Sequence, residues 1–259
     1  MIRGLKNAVK EARATWRRAS IARRLPIRPV SAEAAVVVAP HPDDETFGAG
    51  GMIALKRALN VPVTVILLTD GEASLAAFPA ISPEEVGQVR RNQAAAATGS
   101  LGLDPGDVSG LGLVDGKIPH PGQPGFEDAV VRLARELDHL APSELYCPHP
   151  HDGLPDHEAA TSIVLAAARR SSRPFQIIFY VVWVWFNARS PLRRHLDIHT
   201  GWRLDVRSVY LKKRAAISHY LDGQRAGGVH SYCGYLPSAV TRSAKARTEI
   251  FLNRITAEL

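Results

Sequence analysis

The sequence is poor in cysteine and has no long apolar run. Only Cys147 and Cys233 occur among its 259 residues, and they do not form a Cys-x-x-Cys pair. This excludes a disulfide framework and a cysteine-rich zinc module, so we expect a cytoplasmic protein with reduced thiols. No segment reaches the ~18 apolar residues of a membrane-spanning helix. The Arg-rich N-terminus lacks the apolar core of a secretory signal.

Common nucleotide-binding and serine-hydrolase motifs are also missing. The glycine-rich run from Phe47 to Gly51 does not match G-x-G-x-x-G, and neither G-x-x-x-x-G-K-[ST] nor G-x-S-x-G occurs. These gaps argue against dinucleotide binding, P-loop chemistry and a serine nucleophile elbow. We expect the glycines to let a helix N-terminus approach the turn before it, or to bind an anionic group.

Acidic residues are scarce in the first 30 positions. This segment holds nine Lys or Arg and one acid, Glu11, while the remainder holds 23 basic and 24 acidic residues. The net charge of +7 therefore belongs to an N-terminal arm and not to the body of the protein. This distribution argues against nucleic acid as a partner.

The arm has the periodicity of an amphipathic helix ending before Pro26. We treat residues 1–30 as this arm and residues 31–259 as a single domain. Two interpretations of its apolar stripe stay open. It lies on an anionic membrane surface through residues 1–25, or it packs on the protein's own body or a partner subunit. The sequence does not indicate an oligomeric state. The stripe consists of Leu5, Val9, Ala12, Trp16 and Ala19.

Apolar runs alternate with helical patterns along the remaining chain. Ala34–Val38 and Val63–Leu68 are continuous and β-branched, which is typical of strands covered on both faces. We therefore predict an α/β fold, a Rossmann-like and mostly parallel sheet with helices on both faces and the active site at the C-terminal strand ends. Helices are predicted over 52–59, 82–98, 126–140, 157–169 and 209–221, further strands over 108–114, 144–147 and 175–185, and a loop over 223–238. In the helix over 209–221 we expect Lys212, Lys213 and Arg214 on the exposed side.

Two histidine-rich segments follow predicted strands. One begins Pro40-His41-Pro42-Asp43-Asp44-Glu45, and the other contains Pro155-Asp156-His157-Glu158. A zinc hydrolase needs three protein ligands, an open position and a base, and His41, Asp44 and His157 can supply the ligands. Neighbouring side chains on a turn diverge, so one of the two aspartates can ligate while the other acts as general base. An acidic turn after a strand is also a common helix cap, and that alternative stays open for the first segment.

These two motifs, in this order and in a strand-helix-strand context, resemble the LmbE-like (PIG-L) family of zinc-dependent N-acetylglucosaminyl deacetylases. The resemblance runs from about Ala34 to Leu221. It implies hydrolysis of the 2-acetamido group of an N-acetylated sugar, lipid-linked or in another glycoconjugate, with Zn²⁺ as cofactor; Fe²⁺ fits the same ligands. The implied residue roles are metal ligation by His41, Asp44 and His157, general base catalysis by Asp43, and sugar contact by Arg90 and Asp115.

One position departs from the family pattern. The family has a histidine three residues before the last ligand, which stabilises the oxyanion, and this chain has Leu154 there. Loss of an oxyanion donor typically costs about 10²–10³ in turnover. His151 is the nearest replacement, followed by His149, His219 and His230; alternatively, Leu154 forms an apolar wall for a different acyl group. Two other functions therefore stay open, an amidase acting on a non-sugar amide and a catalytically impaired binding protein.

Overall fold

The computed structural model describes residues 2–76, 80–186, 200–223, 225–226 and 230–253. Single 3-10 turns occur at Pro105–Asp107 and Arg207–Val209. The strands are β1 (Ile27–Arg28), β2 (Ala35–Ala39), β3 (Val63–Thr69), β4 (Val108–Leu113), β5 (Glu144–Pro148), β6 (Gln176–Tyr180), β7 (Trp202–Asp205), β8 (Arg225–Ala226), β9 (His230–Ser231) and β10 (Thr248–Asn253). The helices are α1 (Ile2–Arg24), α2 (Asp44–Ala58), α3 (Pro83–Leu101), α4 (Phe126–Leu140), α5 (Pro155–Arg170), α6 (Tyr210–Leu221) and α7 (Ser238–Ala244).

Eight strands form one sheet in the order β1-β7-β10-β6-β5-β2-β3-β4, and β8 pairs with β9 separately. Within the large sheet β10 runs antiparallel to β6 and β7, while the other pairs are parallel. The predicted α/β fold with a mostly parallel sheet is confirmed. The strand expected over 175–185 ends at Tyr180. Strands β1, β7 and β10 and helix α7 have no counterpart in the prediction. The expected loop over 223–238, which is described only in part, contains the short paired strands β8 and β9.

Both faces of the sheet are covered, which explains the continuous apolar runs. Val36 and Val38 of β2 belong to a buried cluster that includes residues of α4 and α5. Val37, between them, belongs to a second cluster with residues of α2, α3 and α6. Alternate side chains of one strand thus enter two different cores, and every position of β2 must be apolar.

Lys212 and Arg214 of α6 are exposed, as predicted, but Lys213 between them is buried. The Lys213 side chain is 1% exposed and its Nζ donates to Glu249 Oε1. Glu249 also accepts hydrogen bonds from the backbone N–H groups of Gly51 (2.6 Å) and Met52 (2.8 Å) in α2. The prediction was wrong because the partner carboxylate lies on β10, a strand that the sequence pattern did not reveal.

Helix α1 forms as predicted, but it packs through a face other than the predicted apolar stripe. Ala14 and Ala22, with Leu25 just beyond the helix, are buried against the body. In the stripe, Val9 is 41% exposed and Trp16 is 68% exposed. The interpretation that this stripe packs on the protein's own body is therefore wrong for these two residues. No described helix is long and apolar enough to cross a membrane.

The glycines of α2 permit close packing around the start of that helix. A Cβ atom at Gly48 would lie 2.3 Å from Cδ2 of Tyr180, whose hydroxyl donates to the Val38 carbonyl (2.9 Å). At Gly51 it would lie 2.4 Å from Cγ1 of Val206. At Gly50 the nearest atoms would be 3.6 Å away, an ordinary contact. Two of the three glycines thus allow buried side chains to approach the helix backbone.

This difference predicts opposite effects of the same substitution on stability. Gly48→Ala should lower the free energy of unfolding by about 1–3 kcal/mol, because the Tyr180 ring must shift within a packed core. Gly50→Ala, the matched control in the same helix, should raise it by up to about 1 kcal/mol, because alanine loses less backbone entropy. Urea unfolding of both variants measures this. Equal effects at the two positions would contradict the packing role of Gly48.

Candidate metal centre and active site

The turn between β2 and α2 places His41 and Asp44 side by side. His41 follows the end of β2, and Asp44 is the first residue of α2. The Asp44 Oδ2 atom accepts a hydrogen bond from the His41 backbone N–H (3.1 Å) and lies 3.1 Å from His41 Nδ1. The loop that closes the strand thus brings an imidazole and a buried carboxylate together.

His157 joins this pair from a distant part of the chain. It lies in the first turn of α5, which follows β5, and β5 pairs directly with β2. Its Nε2 atom lies 3.2 Å from Asp44 Oδ2, and its ring centroid is 5.6 Å from that of His41. The parallel pairing of β2 and β5 therefore brings the three expected metal ligands to one sheet edge.

The three side chains fit a divalent cation. One ligand atom from each of His41, Asp44 and His157 lies within 4.8 Å of the others. His157 Nε2 is buried and makes no well-aligned hydrogen bond with any residue that the structure describes. Two imidazoles and one carboxylate are a common protein ligand set of catalytic zinc sites. These residues would hold the ion.

The local electrostatics favour positive charge at this point. Burial acts to raise the pKa of Asp44, but the facing imidazoles of His157 and His41 outweigh it and hold the pKa below its ordinary value. Burial acts to lower the pKa of His157, but Asp44 and Asp152 outweigh it and raise the pKa to about 9. A site that attracts protons in this way also attracts cations.

Asp152 orients His157, a role that our sequence analysis missed. This fully buried carboxylate has Oδ2 2.8 Å from His157 Nδ1. Its Oδ1 atom accepts hydrogen bonds from the backbone N–H groups of Val182 (3.0 Å), Trp183 (3.1 Å) and Val184 (3.0 Å). A proton on Nδ1, as this contact requires of neutral His157, leaves the Nε2 lone pair facing Asp44. The available signal was an aspartate five residues before the predicted ligand.

Asp43 has a strained backbone conformation beside the three ligands. Its φ is 128°, in a region that costs a residue with a side chain about 1–3 kcal/mol. Glu45 Oε2 accepts the Asp43 backbone N–H (2.9 Å), and Glu45 Oε1 accepts the Tyr220 hydroxyl (2.7 Å). Glu45 is fully buried and so anchors the turn, as a support or cap and not as a reacting group.

The environment of the Asp43 carboxyl suits a general base. Burial raises its pKa, the Arg90 guanidinium opposes this effect, and the neighbouring Asp44 adds to it, giving a pKa of about 7. A base with a pKa near the working pH is the most effective proton acceptor that also returns the proton. The geometry and charge of the turn are thus consistent with the expected role.

Arg90 is buried and contacts the turn. It is 3% exposed, and its Nη2 lies 3.0 Å from Asp43 Oδ2. The same nitrogen donates to the Pro42 carbonyl, and Nη1 donates to the Gly71 carbonyl (3.2 Å). These contacts make Arg90 a positioning residue for Asp43. Its contact with a sugar stays a prediction.

Two further carboxylates face the other nitrogen of His41. Asp115 Oδ1 and Asp156 Oδ2 each lie 3.1 Å from His41 Nε2. Asp115 also accepts the Ala73 N–H and Asp156 the Gly116 N–H, both at 2.8 Å. Burial acts to lower the pKa of His41, but the carboxylates outweigh it and raise the pKa well above its ordinary value. The contact of Asp115 with a sugar stays a prediction.

Two of the histidines expected as oxyanion donors, His151 and His219, lie in different parts of the structure. The His151 backbone N–H donates to His149 Nδ1 (3.1 Å), and the two ring centroids are 5.7 Å apart. His219 Nε2 lies 3.0 Å from the Ser100 hydroxyl, between α6 and α3. Leu154 occupies the N-cap position of α5. The oxyanion role of His151 stays a prediction.

The chain is similar to known proteins in sequence and in fold. The family model PIG-L, described as GlcNAc-PI de-N-acetylase, matches residues 36–168. The chain is 30% identical over 143 residues to the probable N-acetyl-alpha-D-glucosaminyl L-malate deacetylase 2 of Bacillus subtilis (strain 168), an alignment that covers 54% of this chain and 63% of the relative. It therefore spans slightly less than two thirds of that relative.

The alignment with a second relative covers more of both chains. The chain is 31% identical over 234 residues to the 1D-myo-inositol 2-acetamido-2-deoxy-alpha-D-glucopyranoside deacetylase of Nocardia farcinica (strain IFM 10152), covering 70% of this chain and 77% of the relative. The fold is similar to the crystal structure of the antimicrobial reagent A40926 pseudoaglycone deacetylase, with a TM-score of 0.63, 19% identity, and 88% of this chain and 100% of that chain covered.

The region matched by the family model contains the elements that build the site. It begins in β2 and ends within α5, and it includes His41, Asp44 and His157. The match covers just over half of the sequence. The chain therefore belongs to the PIG-L family, which is also called LmbE-like.

Proposed function

We propose that this protein is a zinc-dependent hydrolase that removes the acetyl group from an N-acetylated amino sugar of the N-acetylglucosamine type. The observation that carries the proposal is the convergence of His41 Nδ1, Asp44 Oδ2 and His157 Nε2, with 3.1 Å and 3.2 Å between the carboxylate oxygen and the two nitrogens. Family membership and the names of the relatives support the reaction class. Fe²⁺ suits the same ligands.

The chain's own residues supply the proton transfers. A bound divalent cation would polarise the amide carbonyl and lower the pKa of a water molecule. Asp43 takes a proton from the attacking water and returns it to the leaving amine, while Arg90 keeps the carboxylate in position. Asp152 keeps His157 in the tautomer that can ligate a cation.

The sugar is better supported than the group attached to it. The two relatives carry the same N-acetylated sugar in their names but differ in the attached group, malate in one and inositol in the other. A non-sugar amide, accommodated beside Leu154, is the second candidate substrate.

Both cysteines are free and buried, which supports the reducing, cytoplasmic setting that we propose.

Replacement of the base tests the reaction. Asp43→Asn should lower turnover by about 10²–10⁴, because the amide cannot accept the water proton. Its zinc content should be unchanged, because Asp43 is not one of the three ligands. Amine release from N-acetylglucosamine conjugates and zinc analysis measure the two quantities. Asp138→Asn, an exposed position at the end of α4, is the matched control. Absence of amine release in both wild type and Asp43→Asn would support an impaired binding protein instead.

Removal of the Asp152 charge tests how the metal ligand is held. Asp152→Asn should weaken zinc binding by about 10–100-fold, because the amide no longer enforces a proton on His157 Nδ1. Competition with a chelator measures the affinity, and Asp138→Asn should retain it. Wild-type zinc affinity in Asp152→Asn would contradict the orienting role.

The departure at Leu154 gives a paired test. If His151 stabilises the oxyanion, His151→Ala should lower kcat by about 10²–10³ with little change in KM. Adding Leu154→His to this variant should restore part of the loss, because it introduces the histidine of the family pattern. Amine release at saturating substrate measures both. A silent His151→Ala would exclude His151 and favour Leu154 as part of the acyl pocket.

A further inference from the structure

Helix α1 has a fixed orientation on the protein, so its outward face is defined. Glu11 accepts hydrogen bonds from the Ser238 backbone N–H (3.0 Å) and from Arg242 Nη2 (3.1 Å). Arg18 donates to the Thr248 carbonyl, and the Lys10 ammonium lies 3.7 Å from the ring centroid of Phe186. These contacts, with buried Ala14 and Ala22, hold the inward face against α7 and β10.

The opposite face of α1 carries a stripe of apolar side chains that are exposed to solvent. Val9, Ala12 and Trp16 are spaced by three and four positions and are all exposed. Trp16 is 68% exposed and Val9 41%. On a helix this spacing places the three side chains in one row. A tryptophan held in water by a docked helix is an unfavourable use of a large apolar side chain unless something covers it.

The charge around the stripe is of one sign. Arg13, Arg23 and Arg24 are exposed on the same helix. Glu11 is the only acid of residues 1–30, and it faces inward, where it is paired with Arg242. The outward face therefore carries these three arginines and no acid of residues 1–30, while Lys10 and Arg18 lie on the inward face. The complementary partner is an anionic surface with an apolar interior.

We propose that this outward face of α1, formed by Val9, Ala12 and Trp16 with Arg13 and Arg24, binds the surface of a bilayer that contains anionic lipid. The stripe enters the boundary between headgroups and acyl chains, tryptophan is well suited to that boundary, and the arginines contact the lipid phosphates. The helix lies on the bilayer and does not cross it. The folded domain and its metal centre are thereby held at a membrane.

The same features fit other partners less well. A nucleic acid would require basic side chains that follow a groove or backbone, whereas here the arginines lie beside a row of exposed apolar side chains. A second copy of the chain would place two strongly basic helices against each other without acidic side chains to pair them. The observations therefore favour a lipid surface.

Vesicle co-sedimentation of the full chain tests the proposal. The protein should sediment with vesicles of phosphatidylcholine and phosphatidylglycerol (3:1) and not with phosphatidylcholine alone. Binding should be lost in about 1 M salt, where the screening length falls to about 3 Å. Trp16→Ser should weaken it about ten-fold or more. The double variant Arg13→Gln with Arg24→Gln should weaken it about 25-fold, at about five-fold for each cation.

Control variants separate this surface from the fold and from the metal centre. Leu59→Ser removes another exposed apolar side chain, 58% exposed, at the end of α2, a helix on the other face of the sheet, and should leave vesicle binding unchanged. Thermal unfolding and zinc content should be unchanged in the α1 variants, because the altered side chains are exposed. Absence of binding to the anionic vesicles, or binding that survives both α1 changes, would overturn the proposal. So would self-association that Trp16→Ser abolishes without vesicle binding. Vesicle binding without deacetylation would contradict the proposed function and leave this inference intact.

Discussion

The buried negative charge of Asp44 is the constraint on which the site depends. This carboxylate is 1% exposed, and the cost of burying it is offset by the imidazoles of His41 and His157 that face it. His41 follows β2 and His157 lies at the start of α5, which follows β5, so the charge is stabilised only when β2 and β5 are paired in register. Assembly of the sheet and assembly of the candidate metal centre are therefore the same event.

The strained turn at Asp43 is supported in part from outside the region that the family model matches. Glu45 fixes the backbone N–H of Asp43 and is itself bonded to Tyr220 of α6, beyond residue 168 where the family match ends. Glu249 of β10 likewise binds the backbone of α2 at Gly51. The C-terminal part of the chain thus braces a turn whose chemistry is encoded near the N-terminus.

The sequence is sufficient for the features that depend on local pattern. Continuous apolar runs predict the parallel strands. The two motifs that resemble the LmbE-like family indicate His41, Asp44 and His157 as a ligand set, and the structure brings these three residues together. Features that depend on tertiary partners are not predictable in this way. The burial of Lys213 requires knowledge of β10, and the role of Asp152 requires the position of the backbone after β6. The outward face of α1 could not be chosen either, because small alanines and a paired glutamate, weak signals in a periodicity, decide which side packs.

The arrangement of α1 shows why periodicity alone misassigns such a helix. A helix with two usable faces docks through the one with better shape and hydrogen-bond complementarity, and small residues such as Ala14 and Ala22 permit the closest approach. The larger apolar side chains on the opposite face then remain exposed and can contact a lipid bilayer. In a protein whose other 229 residues carry almost balanced charge, a basic face with an exposed tryptophan is not needed for folding. Its composition fits the membrane surface that we propose as its partner, just as the composition of the turn after β2 fits a metal ion.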